Sequence, residues 1–215
     1  MDRIKGVVNS LIALYPSPKS ELEFSNNFEL IVAVILSAQC TDKRVNIVTK
    51  KLFNVCPTPK HLMEIDIKEL EEIIKPCGFY HSKAKNLKSM ATDLVLCYNG
   101  EVPSDKEDLK KLAGVGEKTA NVVLIAGFSI PAIPVDTHVF RVSNRLGLSS
   151  HKTVEGTQKQ LEQILPRALW IDLHHCLILH GRYVCKARKP DCESCMLKKY
   201  CKYYEDNIYA LTNSN

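Results

Sequence analysis

Apolar residues recur at helical spacing along almost the whole chain, and that period leaves little room for any fold but an all-α one. Val45, Val48, Leu52 and Val55 share one face, as do Ile67, Leu70, Ile73 and Ile74. Leu87, Met90, Ala91, Leu94 and Tyr98 form a third stripe, and Leu161, Ile164, Leu165 and Ala168 a fourth. Asp66 with Glu69 and Ser104 with Glu107 have capping-box spacing, which satisfies orphan amides where a helix starts. About ten helices are expected. The segments 29–38 and 121–126 are rich in Val and Ile and fit buried strands equally well by period. No partner strands exist elsewhere, so both are read as buried helices. No internal repeat or low-complexity linker appears, so any two-domain split must be tight, with the chain free to cross between lobes more than once.

With 45% hydrophobic and 25% charged residues the chain can build an ordinary packed core, which excludes disorder and fibre. No apolar run reaches the roughly 18–20 residues of a membrane span. The best, 30–38 and 120–135, are too short or are broken by Pro131 and Pro134. Near the start, Ile4, Val7, Val8, Leu11, Ile12 and Tyr15 make a helical stripe, not the continuous block of a signal peptide. The protein is therefore expected to begin here and to stay in the cytoplasm, nucleoid-associated if bacterial.

Nine cysteines cannot all pair internally. Cys40, Cys56, Cys77, Cys97 and Cys176 lie in apolar stretches and are read as small buried hydrophobes. Cys185, Cys192, Cys195 and Cys201 fall within seventeen residues, a set that suits tetrathiolate binding of zinc or of an iron–sulfur cluster. Only Cys192 and Cys195 form a short knuckle, which tilts the spacing slightly toward iron–sulfur. The net charge is +5, yet residues 182–203 alone hold seven basic side chains against Asp191 and Glu193. Such a concentration of positive charge suits a polyanion.

The segment 112–120 reads Leu-Ala-Gly-Val-Gly-Glu-Lys-Thr-Ala, a Gly-x-Gly turn between two helical stretches. Gly114 and Gly116 permit left-handed backbone angles and let main-chain amides approach an anion, so a helix-hairpin-helix gripping a phosphate is expected. Lys118 then lies in a first helical turn, where a cation opposes the macrodipole at a cost of about 0.3–1 kcal/mol. The same field, with partial burial, favours a neutral and nucleophilic amine; a solvated lysine or a phosphate clamp is the plainer reading. Asp136 precedes an amphipathic helix, where an aspartate is usually an N-cap but is also kept ionised for proton or charge chemistry.

The hairpin LAGVGEKTANVV, the VDTHVFRV segment and the spacing Cys185-x6-Cys192-x2-Cys195-x5-Cys201 together resemble the endonuclease III family of helix-hairpin-helix DNA glycosylases. The resemblance runs from Glu21–Phe24 through Leu36–Gln39 and Gly78–Ala84 to His180–Tyr183. It implies a two-lobed all-α fold. Residues 22–130 would form a six-helix domain with the hairpin, residues 1–21 plus 131–215 a helical iron–sulfur domain, and the active site the cleft between them. It implies a bifunctional glycosylase and abasic-site lyase that removes oxidised pyrimidines from double-stranded DNA as a monomer and cuts the strand 3′ to the abasic site by β-elimination. Lys118 would attack C1′ and Asp136 assist, while Cys185, Cys192, Cys195 and Cys201 would hold a [4Fe-4S] cluster. Gln39 and Phe79 would fill the gap left by an extruded base. Gly114 and Gly116 would present amides to a phosphate, and Lys186, Arg188 and Lys189 would meet others.

The sequence departs from the family pattern at Ala113, where proline is usual, at Cys40 and at Phe79. None of these removes a catalytic group. His138 is either a partner of the site or structural, and His174 and His175 are read as structural. A monofunctional glycosylase of the same superfamily would lack the hairpin lysine, and a non-catalytic DNA-binding module would not need Lys118 and Asp136 together. A zinc or ferredoxin-like protein would explain only the cysteines.

Overall fold

The computed structural model describes residues 2–209. In chain order the helices are α1 (Asp2–Leu14), α2 (Asn27–Ser37), α3 (Asp42–Val55), α4 (Pro59–Glu64), α5 (Ile67–Ile74) and α6 (Tyr80–Cys97). There follow α7 (Lys106–Lys111), α8 (Glu117–Phe128), α9 (Thr137–Leu146), α10 (Val154–Ile164) and α11 (Trp170–Tyr183). Short turns of helix cover Lys75–Cys77, Arg167–Leu169 and the C-terminal stretch from Lys198, and no strand occurs among the described residues. The all-α expectation therefore stands. Both Val/Ile-rich segments are helical, as α2 and α8.

Two compact units divide the chain, one made of residues 20–130 and the other of 1–19 with 131–215. In the first, α2 is the central helix. Leu30 through Leu36 are all buried, so the helix is apolar on every side and must be surrounded. It packs against α3, α6 and α8. Gly127 of α8 lies so close to α2 that an added Cβ would stand 2.6 Å from Asn27 Oδ1, which is why this crossing needs glycine. Leu52, Leu62, Leu70, Ile74, Leu87, Met90 and Leu94 complete a continuous core, each worth about 1.5–3 kcal/mol of apolar burial.

In the second unit α1 returns from the chain start to pack on α11, and α9 also packs on α11. Val7, Val8 and Leu11 meet Val139, Val142, Leu146, Leu173 and Leu177 in its core. Gly181 brings α11 close to α9, since a Cβ there would stand 2.9 Å from that of His138. No helix among the described residues is long and apolar enough to cross a membrane.

Several local expectations change. Asp66 caps α5 through the amides of Lys68 and Glu69, but α7 is capped by Asp105 and not by Ser104. The fourth stripe stops early because Pro166 follows Leu165, and Ala168 is exposed. Cys56, Cys77 and Cys176 are buried as expected; Cys40 is only partly so and Cys97 is exposed.

Candidate nucleic-acid interface and cysteine centre

The hairpin is built by α7 and α8. Leu109, Leu112 and Val115 point into the core, so the turn's other side faces out. Gly114 has φ +81° and needs to be glycine, whereas Gly116 is extended and serves as the N-cap of α8. Asn26, Thr58, Asp66, Asp105, Asp136 and Thr153 cap their helices with side chains, but Gly116 has none to offer. The first-turn amides of α8 are thus left for an external acceptor, and nothing lies within 4 Å of a Cβ at Gly116. Glu117 pairs with Lys106 and with Lys110 at 3.6 Å, tying α8 to α7, and Lys106 holds its carboxyl below the usual range. Its negative charge in the first turn offsets the penalty of the neighbouring lysine. Lys118 itself is exposed, so the partial burial expected for it is absent in the free protein.

Asp136 caps α9, its Oδ1 accepting from the Val139 amide at 2.8 Å. Its other carboxylate oxygen takes no hydrogen bond among the described residues, and the side chain is half-buried. Cap and free acceptor coexist in one group. His138 lies 3.3 Å from Arg141 Nη2 through its Nδ1 and against Gly181, and His174 meets the Pro134 carbonyl at 2.9 Å. Both imidazoles thus have a hydrogen-bond partner close by.

Gln39 and Phe79 stand at two turns of the 20–130 unit, α2–α3 and the entry to α6. Both are exposed, and both hold left-handed backbone angles, φ +55° and +49°. A non-glycine residue in that region is strained, and a phenylalanine left 66% exposed on such a residue buries little of its ring.

Cys185, Cys192, Cys195 and Cys201 line one pocket with Leu146, His180 and Tyr203. Among the described residues no three metal-ligating side chains converge as they would on a single ion. Four thiols lining one pocket supply the four thiolates that a [4Fe-4S] cluster takes, so the donor set fits that group. Burial pushes the thiols of Cys192, Cys195 and Cys201 up, so metal binding must supply the energy that deprotonates them. Around them the hydrogen bonds are dense. Arg145 donates to the carbonyls of Lys186 (2.7 Å) and Ala187 (3.1 Å) and to Cys185 Sγ (3.5 Å). Arg141 donates to the carbonyls of Cys185 (3.1 Å) and Gly181 (2.9 Å). His180 sits between Tyr15 Oη (3.0 Å) and Cys195 Sγ (3.6 Å), and burial pushes its imidazole down to about 4, so the ring is neutral. Lys186, Arg188 and Lys189 project from the Cys185–Cys192 loop, all exposed.

Residues 32–167 match the HhH-GPD superfamily of base excision DNA repair proteins. Over 202 residues the chain is 48% identical to endonuclease III of Rickettsia conorii, covering 92% of this chain and 96% of that one. The chain belongs to the endonuclease III family. Solved structures of a non-covalent endonuclease III–DNA complex and of a trapped endonuclease III–DNA covalent intermediate are alike in their relation to it. Each gives a TM-score of 0.91 at 44% identity, covering 95% of this chain and 96% of theirs.

In this chain, sequence reasoning missed the groups that hold the site residues in place. Arg141 and Arg145 are an i, i+4 pair on α9, and that spacing was the available signal. Tyr15 and His180 are separated by most of the chain, and no spacing rule joins them. Lys83 lies in the Gly78–Ala84 stretch, where no spacing rule singles it out, and it is buried.

Proposed function

We propose that this chain is a bifunctional DNA N-glycosylase and abasic-site lyase of base excision repair, acting as a cytoplasmic monomer on duplex DNA with oxidised pyrimidines or abasic sites. The observation that carries the reading is Lys118, an exposed primary amine in the first turn of a helix whose N-cap is glycine. A relative 44% identical to this chain forms a covalent intermediate with DNA, which supports an amine nucleophile.

A base inside a duplex is out of reach, so the nucleotide must be extruded at an unstacking cost of a few kcal/mol, smallest when the base is damaged. The amides at Gly114 and Gly116 take a backbone phosphate, and Gln39 and Phe79 occupy the vacated stack. Lys118 Nζ bonds to C1′ as the N-glycosidic bond breaks and the base leaves. The nitrogen, now bonded to C1′, loses one of its two protons, and opening of the sugar with protonation of O4′ gives a protonated imine, which acidifies C2′–H. Removal of that proton expels the 3′ phosphate by β-elimination. Asp136 stabilises positive charge on the sugar and accepts a proton from the attacking nitrogen. A [4Fe-4S] cluster on Cys185, Cys192, Cys195 and Cys201 would anchor the loop whose Lys186, Arg188 and Lys189 meet phosphates.

Borohydride added during turnover should reduce the imine and fix the protein to lesion-bearing DNA, with the modified peptide carrying Lys118. Lys118→Gln should abolish the adduct yet keep duplex binding, because the hairpin backbone is unchanged. Base release by the wild-type protein without any trapping would instead establish a monofunctional, water-using glycosylase.

A further inference from the structure

Lys83 is 5% exposed, and among the described residues no carboxylate accepts its ammonium. Its Nζ donates to three main-chain carbonyls: Leu36 at 2.9 Å, Ala38 at 2.8 Å and Cys77 at 2.9 Å. An ammonium has three N–H donors and no acceptor, so three carbonyls satisfy it completely and require the charged form. Leu36 and Ala38 lie at the C-terminal end of α2, and Cys77 ends the short Lys75–Cys77 helix, where helix dipoles present partial negative charge. The buried cation is stabilised there without a counter-ion. Burial lowers its pKa, so the geometry works against a solvation cost.

The gripped carbonyls adjoin the two strained turns. Ala38 immediately precedes Gln39, and Cys77 stands two residues before Phe79 with Gly78, also at positive φ, between them. Strained backbone persists only where its surroundings over-determine it. Arg44 reaches the Pro76 carbonyl at 3.5 Å, but among the described residues Lys83 alone donates to carbonyls of both turns with a full set of short contacts.

We infer that Lys83 is a positioning residue for base extrusion: one buried ammonium holds the Gln39 and Phe79 turns at a fixed separation, so that both side chains enter the duplex as a preformed pair. The inference rests on the glycosylase reading above. It predicts that the two activities depend on Lys83 unequally. Releasing a stacked base requires the pair, whereas strand cleavage at a preformed abasic site begins from a nucleotide with no base to extrude.

In Lys83→Met the side-chain length stays and the donors go. Base release from a lesion duplex should fall roughly 10- to 100-fold, the scale of a misplacement of about 1 Å, while cleavage of a preformed abasic duplex falls by less than about threefold. A fluorescent adenine analogue opposite an abasic-site analogue should brighten when the wild-type protein unstacks it, and stay dim with the variant bound. Adding Phe79→Ala to Lys83→Met should cost base release little more. Should Lys83→Met fail to fold, Lys83→Arg carries the same comparison with a smaller ratio, because its planar fork cannot match three divergent acceptors. A parallel fall in both activities would make Lys83 merely structural and overturn the inference, as would no change in either. Wild-type protein without base release or cleavage would overturn the glycosylase reading itself, a different outcome from either.

Discussion

Residues 20–130 close around apolar side chains, with α2 walled in on every side, whereas among residues 184–207 only Leu197 is buried. What holds the second region is polar: two arginines from α9 gripping its carbonyls, and four cysteines around one pocket. The contrast teaches where each region's stability must come from. A helical core gains its free energy mainly from area removed from water, roughly 25 cal/mol per Å². A loop without a core has no such reserve and depends on a few bonds, each of which counts heavily. Such a segment can still be rigid if metal coordination supplies its folding energy.

The largest expected effect comes from removing that coordination. Cys195→Ser should lower iron from about four per chain, and amide hydrogen-exchange protection across 184–207 should drop roughly a thousandfold or more, while α2 and α6 keep theirs. An equal loss in both regions would break the comparison, and stoichiometric zinc without iron in anaerobically prepared protein would replace the cluster with a different centre. Next in size is Asp136→Asn. Asparagine caps helices as well as aspartate does, so thermal stability should hardly change, while turnover should fall about 10²- to 10³-fold with some borohydride trapping retained. A matching loss of stability would show that the carboxylate serves only as the cap. The smallest effect belongs to the loop surface. Replacing Lys186, Arg188 and Lys189 by alanine should weaken lesion and undamaged duplex about equally, and each lost contact should reduce the salt slope by about one unit. A loss confined to lesion DNA would mean that the loop reads damage.

The helical period of α3, α5 and α6, the hairpin glycines and the cysteine spacing were legible because each is a local pattern governed by a local rule. Gly116 was legible as a turn residue, but its service as a bare N-cap was not, since both glycines looked alike until φ separated them. The exposure of Lys118 could not be read either, because burial depends on what the rest of the chain places nearby. Least legible were Lys83, Arg145 and the Tyr15–His180–Cys195 contact. Their partners are main-chain carbonyls or residues far away in sequence, and a carbonyl carries no residue letter.

The unit that holds the cysteines is discontinuous, and this sets an order on its making. Residues 20–130 are complete as soon as Ile130 has left the ribosome, but α1, made before them, lacks the helix it packs on until α11 arrives. Leu173 and Leu177 follow Leu11 by roughly 160 residues, and at about 5–20 residues per second α1 waits roughly 8–30 s. For that interval the core that Val7, Val8 and Leu11 enter is incomplete. A helix synthesised before residues 20–130 is thus among the last to find its place, and during the wait its apolar stripe is open to chaperones or to other unfinished copies of the same chain.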